Sequence, residues 1–135
     1  MDGIVFDVDG TLWDSVEVVA ESWNLAIKEN SDLEPNLNRE ILQGLFGKTM
    51  DEIAAGVFPD LDTDSRRKLM DICFDYENRY LETHPGVYYE GVMDTLKELA
   101  LEYPLFIVSN CQCGYIEVMM KGVGMEPYIK DFLCF

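Results

Sequence analysis

The chain is predicted to fold as an α/β protein, a parallel-sheet core carrying a helical insertion at residues 15–85. Two apolar runs, Gly3-Ile4-Val5-Phe6-Asp7 and Leu105-Phe106-Ile107-Val108, have the look of strands buried on both faces. Between them lie about four segments of helical periodicity, and the chain then continues helix–strand–helix. An apolar content of 48% in 135 residues is enough for one packed domain with its own core.

The elements follow in order. Asp14, with Glu17 three residues on, reads as an N-cap for a helix carrying Val19, Trp23, Ala26 and Ile27. Asn30 to Asn38, with Pro35, is a loop. Ile41, Leu42 and Leu45 mark a short helix closed by Gly44 or Gly47, and Thr49-Met50-Asp51-Glu52 is a capping box that opens another. Pro59 breaks that helix. Thr63 or Asp64 caps a long one, with Leu69, Cys73, Tyr76 and Tyr80 as its apolar positions. His84-Pro85-Gly86 punctuates the chain. Val92, Leu96, Leu99 and Ala100 form a helix that ends before Pro104. Ile116, Met120 and Val123 give a last helix, and the tail from Phe132 to Phe135 is strand-like.

Charge narrows the function classes. Ten Lys and Arg against 26 Asp and Glu leave a net charge of −16 and a pI near 4.1. A field of that sign repels phosphodiester backbones, so no nucleic-acid partner is expected. No apolar run approaches the ~20 residues that span a bilayer, and the first ten residues carry three Asp and no Lys or Arg. The expectation is a cytoplasmic protein with no membrane partner. Four cysteines (Cys73, Cys111, Cys113, Cys134) are too few and scattered for a secreted disulfide scaffold. They are expected to be reduced, partly buried thiols; a metal or redox role for the Cys111-x-Cys113 pair is disfavoured with one His in the chain.

The informative segment is Asp7-Val8-Asp9-Gly10-Thr11-Leu12. Alternation along an extended chain puts Asp7 and Asp9 on one side at the C-terminal end of the first strand, where open α/β sheets bind ligands. Gly10 lets the chain turn sharply. Two carboxylates so close need a cation between them or a proton on one of them. Those alternatives suit a Mg²⁺ site in which one Asp attacks and the other handles protons. The bland alternative is a capped strand end with solvated acids. The full D-x-D-G-T-L string directly after an apolar strand favours chemistry.

That segment resembles the first motif of the haloacid dehalogenase superfamily, D-x-D-G-T-[LV], and Ile107-Val108-Ser109-Asn110 resembles its second. A helical insertion between the two is the arrangement of members with an α-helical cap, such as phosphoglycolate phosphatase and β-phosphoglucomutase. The resemblance implies a Rossmann-like parallel sheet, with residues 1–14 and 86–135 as a partial catalytic core and 15–85 as the cap. It implies that Asp7 is the nucleophile and forms an aspartyl-phosphate. Asp9 would protonate the leaving oxygen and then deprotonate water. Mg²⁺ would sit on the Asp7 carboxylate and the Asp9 carbonyl. Ser109 Oγ and nearby N–H groups, including that of Asn110, would hold the phosphoryl oxygens; a helix cap and turn is the competing reading of Ser109-Asn110. An acid at Asp9 disfavours dehalogenation.

Two other features are set aside. Gly44-Leu45-Phe46-Gly47-Lys48-Thr49 contains the G-K-T of a P-loop, but Leu42 stands where the first glycine belongs and no strand precedes it. It reads as a turn facing the substrate from the cap, with Lys48 as a candidate contact. His84 is expected at a hinge or on the surface.

Of the superfamily's four motifs, the Lys and the second acidic pair are not found; Lys121 and Lys130 are not where the Lys is expected. The leading expectation is a Mg²⁺-dependent phosphatase acting on a small phosphorylated metabolite. Its rivals are a phosphomutase of the same fold and a non-catalytic chain that only binds a partner or cation. On its own the chain is expected to be nearly inactive, and to self-associate through the exposed edge of its first strand.

Overall fold

The computed structural model describes residues 2–134; the Phe135 end of the expected tail strand lies outside them. Strand β1 (Ile4–Phe6) is followed by a two-residue strand β2 (Trp13–Asp14) and four helices: α1 (Val16–Asn30), α2 (Arg39–Gln43), α3 (Met50–Val57) and α4 (Thr63–Thr83). The chain returns through β3 (Val87–Tyr88) and continues as α5 (Val92–Ala100), β4 (Leu105–Ser109), α6 (Tyr115–Lys121), a 3₁₀ turn (Glu126–Tyr128) and β5 (Asp131–Cys134).

The sheet is parallel, in the order β1-β4-β5, with Val5 opposite Phe106 and Ile107 opposite Phe132. Its strands are connected by helices, as parallel neighbours require. β2 and β3 form a separate antiparallel pair, Trp13 opposite Tyr88, so the chain leaves the sheet and comes back along the same line. That pairing needs Gly86: a Cβ there would sit 2.9 Å from both the Asp14 carbonyl and the Trp13 ring.

Two apolar clusters hold these elements. Val19, Trp23, Ile27, Leu42, Ile53, Phe58, Met70 and Phe74 bring α1–α4 together. Val8, Trp13, Leu96, Ile107, Ile116, Met119 and Met125 pack the sheet against α5 and α6, with Leu81 reaching in from α4. Burying side chains of this size contributes roughly 1.5–3 kcal/mol each.

Several local expectations shift by a residue. Ser15, not Asp14, is the N-cap position of α1; the Asp14 carboxylate still accepts from Val16 N at 3.1 Å. The Ser15 hydroxyl is free of capping because it is bonded elsewhere. Asp62, not Thr63 or Asp64, caps α4, accepting from Ser65 N at 2.7 Å. Tyr76 and Tyr80 are only partly buried, their hydroxyls donating to Glu29 and Glu21; the inward face of α4 is Leu69, Met70, Cys73, Phe74, Glu77 and Leu81.

The cysteine reading needs a larger correction. Cys113 and Cys134 are disulfide-bonded, with Cα atoms 5.8 Å apart, while Cys73 and Cys111 are free and buried. Twenty-one residues separate the pair in sequence, but β5 lies beside β4 with Cys134 opposite Ser109, which brings Cys134 to the loop that holds Cys113.

Candidate active site

Because β1 and β4 are parallel, their C-terminal ends emerge at one edge of the sheet, bringing the Asp7–Asp9 segment and Ser109–Asn110 to the same place. Asp7 follows β1 directly. It is exposed, and its Oδ1 accepts only from the adjacent Val8 N, at 2.8 Å. Gly10 then turns the chain at φ +78°, a left-handed conformation that favours glycine, and Gly10 N donates to the Trp13 carbonyl at 3.1 Å.

Asp9 sits in a different environment. Its Oδ1 accepts from Trp13 Nε1 at 3.3 Å, from Ser15 Oγ at 3.1 Å and from the Tyr115 hydroxyl. Tyr115 OH is itself bonded to Ser15 Oγ at 2.8 Å and accepts from Trp13 Nε1 at 3.2 Å. Burial raises the Asp9 pKa above the ordinary carboxylate value. The three donors oppose that rise and the Asp7 charge adds to it. All three donors reach Oδ1, and among the described residues none reaches Oδ2. Two acids two residues apart therefore sit in different surroundings: Asp7 is exposed, and Asp9 is half-buried with one oxygen engaged.

Ser109 ends β4 with 6% of its surface exposed, and its side chain acts to lower the pKa of the Cys111 thiol. Burial nevertheless dominates at Cys111 and pushes that thiol up to about 12, so it is no nucleophile at neutral pH. Asn110 is exposed and its Nδ2 donates to the Gly47 carbonyl at 3.0 Å. Gly47 thus faces the site as expected of its turn, whereas Lys48 is exposed and does not line the cavity there. The G-K-T stretch follows a helix, which ends the P-loop reading. His84 is exposed and stacks on Tyr80 with ring centroids 4.1 Å apart.

A cavity of about 30 Å³ lies beside Asp9, between Asn110, Gln112 and Tyr115 on one side and Trp23, Phe74 and Glu77 on the other. Glu77 is fully enclosed. Its Oε1 accepts from Trp23 Nε1 at 2.7 Å and its Oε2 from Gln112 Nε2. Burial pushes Glu77 up to about 8, and Asp9 adds to the shift against the two hydrogen bonds. Sequence reasoning missed Glu77 and Tyr115. The signal for Glu77 was an acid inside the i, i+4 stripe Leu69-Cys73-Glu77-Leu81, obscured by choosing Tyr76 and Tyr80 for that face.

For a divalent cation, the chain offers the exposed Asp7 carboxylate and the Asp9 carbonyl, which no donor among the described residues engages. These hard oxygens fit part of a Mg²⁺ shell. Among the described residues no group of three His, Cys, Asp or Glu side chains is close enough to complete one. No helix among them is long and apolar enough to cross a membrane.

Solved structures share this fold. A predicted phosphoglycolate phosphatase from Haemophilus somnus 129PT is 22% identical over 99% of the chain, with a TM-score of 0.84. A haloacid dehalogenase-like family protein from Streptococcus pneumoniae is 20% identical over 100%, TM-score 0.79. A HAD-hydrolase from Bacillus subtilis, bound to magnesium and described as revealing interdomain movement, is 22% identical over 98%, TM-score 0.63. The chain spans 62, 61 and 64% of those proteins respectively. No curated protein matches it. With the sheet, the Asp7–Asp9 turn and the Ser109 strand end in one frame, and a family model matching residues 4–134, the chain belongs to the haloacid dehalogenase-like hydrolases.

Proposed function

We propose that the protein carrying this chain is a Mg²⁺-dependent phosphoric monoester hydrolase acting on a small phosphorylated metabolite. The observation that carries this reading is the asymmetry of the acid pair: Asp7 exposed and free to attack, Asp9 half-buried with its Oδ1 engaged by Trp13, Ser15 and Tyr115. An Asp7 oxygen attacks phosphorus, the ester P–O bond breaks, and the departing oxygen takes the proton held at Asp9 Oδ2. Asp9, now ionised, takes a proton from the water that attacks the aspartyl-phosphate and releases inorganic phosphate. Ser109 Oγ and the Asn110 N–H hold phosphoryl oxygens during both steps. Mg²⁺, held by the Asp7 carboxylate and the Asp9 carbonyl, would offset the like charge of nucleophile and phosphate.

Residues 15–85 act as a cap over this site, with β2 and β3 as the paired linkers. A separate apolar cluster within the four helices supports that division. No lysine lines the cavities beside Asp9, and no third carboxylate completes a cation shell among the described residues, so the 135-residue chain alone should turn over slowly or not at all.

The test uses the protein carrying this chain, with whatever sequence follows residue 135 retained. Asp7→Asn should lose phosphatase activity while keeping its circular dichroism. Asp9→Asn should lose about 10²–10⁴-fold on an alkyl phosphate and less on p-nitrophenyl phosphate, whose leaving group needs little proton help. A folded Asp7→Asn protein with near-native turnover would sink the assignment.

A further inference from the structure

Asp9 stands between two cavities that also share Phe46. The smaller, of about 30 Å³, has room for little more than a water. The larger, of about 250 Å³, is bounded by Gly10, Asp14, Arg39, Gln43 and Tyr89. A leaving group beside Asp9 needs space there, and with the helices placed as they are the larger cavity supplies it.

The charge in that cavity is already settled. Among the described residues Arg39 is the one cation lining it, and two of the three nitrogens of its guanidinium are engaged: Nη2 donates to Asp14 Oδ2 at 2.8 Å and Nε to Glu17 Oε1 at 3.3 Å. Two carboxylates against one guanidinium leave an excess of one negative charge, before Asp9 is counted. The smaller cavity offers no relief, since its carboxylates are Asp9 and Glu77 and among the described residues no Lys or Arg lines it. A second anionic group on the substrate would have to share Arg39 with Asp14 and Glu17, against that excess of negative charge. An uncharged hydroxyl meets no such obstacle, with Gln43 and Tyr89 among the lining residues.

Resting on the hydrolase reading above, we infer that the substrate is a phosphate monoester whose leaving group carries no second negative charge, and that Asp14 and Glu17 set this preference by occupying Arg39. Phosphorylated polyols and amino alcohols satisfy it; phosphorylated hydroxy acids do not.

The experiment compares kcat/KM for 2-hydroxyethyl phosphate and for 2-phosphoglycolate, which are nearly equal in size and differ by a carboxylate. The protein carrying this chain is used whole. The neutral ester should be favoured by about ten-fold or more, the ratio set by a ~1.4 kcal/mol difference. The double variant Asp14→Asn/Glu17→Gln, which leaves Arg39 uncompensated, should move that ratio toward phosphoglycolate by about ten-fold. If the double variant misfolds, Glu17→Gln alone, on an exposed side chain, should still move it a few-fold. Equal or better turnover of phosphoglycolate by the unaltered protein overturns the inference, and so does an unmoved ratio in a folded variant that still hydrolyses p-nitrophenyl phosphate. Failure to hydrolyse any of the three esters overturns the hydrolase reading itself, and this inference with it.

Discussion

The Asn110 side-chain amide donates to the Gly47 carbonyl at 3.0 Å, joining the loop after β4 to the turn before α3. The same loop makes the other polar links to the helices. Gln112 Nε2 donates to Glu77 Oε2 and to Asn78 Oδ1, and Asn78 Nδ2 donates to the Cys113 carbonyl at 3.0 Å. Hydrogen bonds of this type contribute about 0.5–1.5 kcal/mol each. Together they tie this loop to the helices beside Asp9 by a few kcal/mol, so opening the cavity there should cost about that much.

Asn110→Ala should shift that balance toward the opened form. The phosphate role assigned to Asn110 lies on its backbone N–H, which alanine keeps, so the substitution removes only the link to Gly47. Cys111 reports on opening because it is buried at the cavity wall, and Cys73, buried within the helical cluster, is the internal control. Alkylation followed by mass spectrometry should show Cys111 reacting several-fold faster in the variant and Cys73 unchanged. An equal rise at both cysteines would mean general loosening instead of opening at this loop.

Glu77 gives a stability prediction with a definite sign. Its pKa is raised in the fold, from about 4.5 to about 8, chiefly by burial. A group raised in this way contributes stability that is fully present below its unfolded pKa and is lost as pH rises through its folded pKa. The protein should therefore lose stability between about pH 4.5 and pH 8, the interval between those two values. Glu77→Gln should remove that loss. At pH 5 it should cost about 1 kcal/mol, because an amide presents an oxygen at only one of the two positions to which Trp23 and Gln112 donate. At pH 9 the variant should match or exceed the parent. Denaturant melts at the two pH values measure the difference, and a pH-independent difference would show that Glu77 is already ionised in the fold.

How much of this was legible depended on the range of the interaction. β1, β4 and the helices could be read because each carries its own signal: an unbroken apolar run, a capping residue or a periodic stripe. The placement of Asp7, Asp9, Ser109 and Asn110 at one sheet edge could be read because they lie at or just past strand ends, so the strands position them. Tyr115 and Glu77 could not. The Tyr115 hydroxyl reaches Asp9 across 106 residues, and Glu77 meets Gln112 across 35. Nothing local in either segment demands those contacts. The Cys113–Cys134 bond was hidden for the same reason, since it follows from β5 pairing beside β4 and not from the spacing of the cysteines. β2 and β3 escaped notice because two residues are too few to show alternation.

The outer edge of β1 bears on how the 135-residue chain behaves in solution. In the order β1-β4-β5 both β1 and β5 are edges among the described residues, but they are not equally hazardous. β5 begins with exposed Asp131, directly after exposed Lys130, and charges of this kind blunt an edge against pairing. β1 is Ile4-Val5-Phe6, without a charge, and Val5 is 63% exposed. The chain should therefore self-associate through β1, as its sequence led us to expect. Light scattering across a dilution series should show mass rising with concentration, in spite of the net charge of −16. Val5→Lys should suppress the rise, and Leu133→Lys on β5 should leave it largely intact. A parent chain that remains monomeric at every concentration, or equal suppression by the two lysines, would show that β1 is not the adhesive edge.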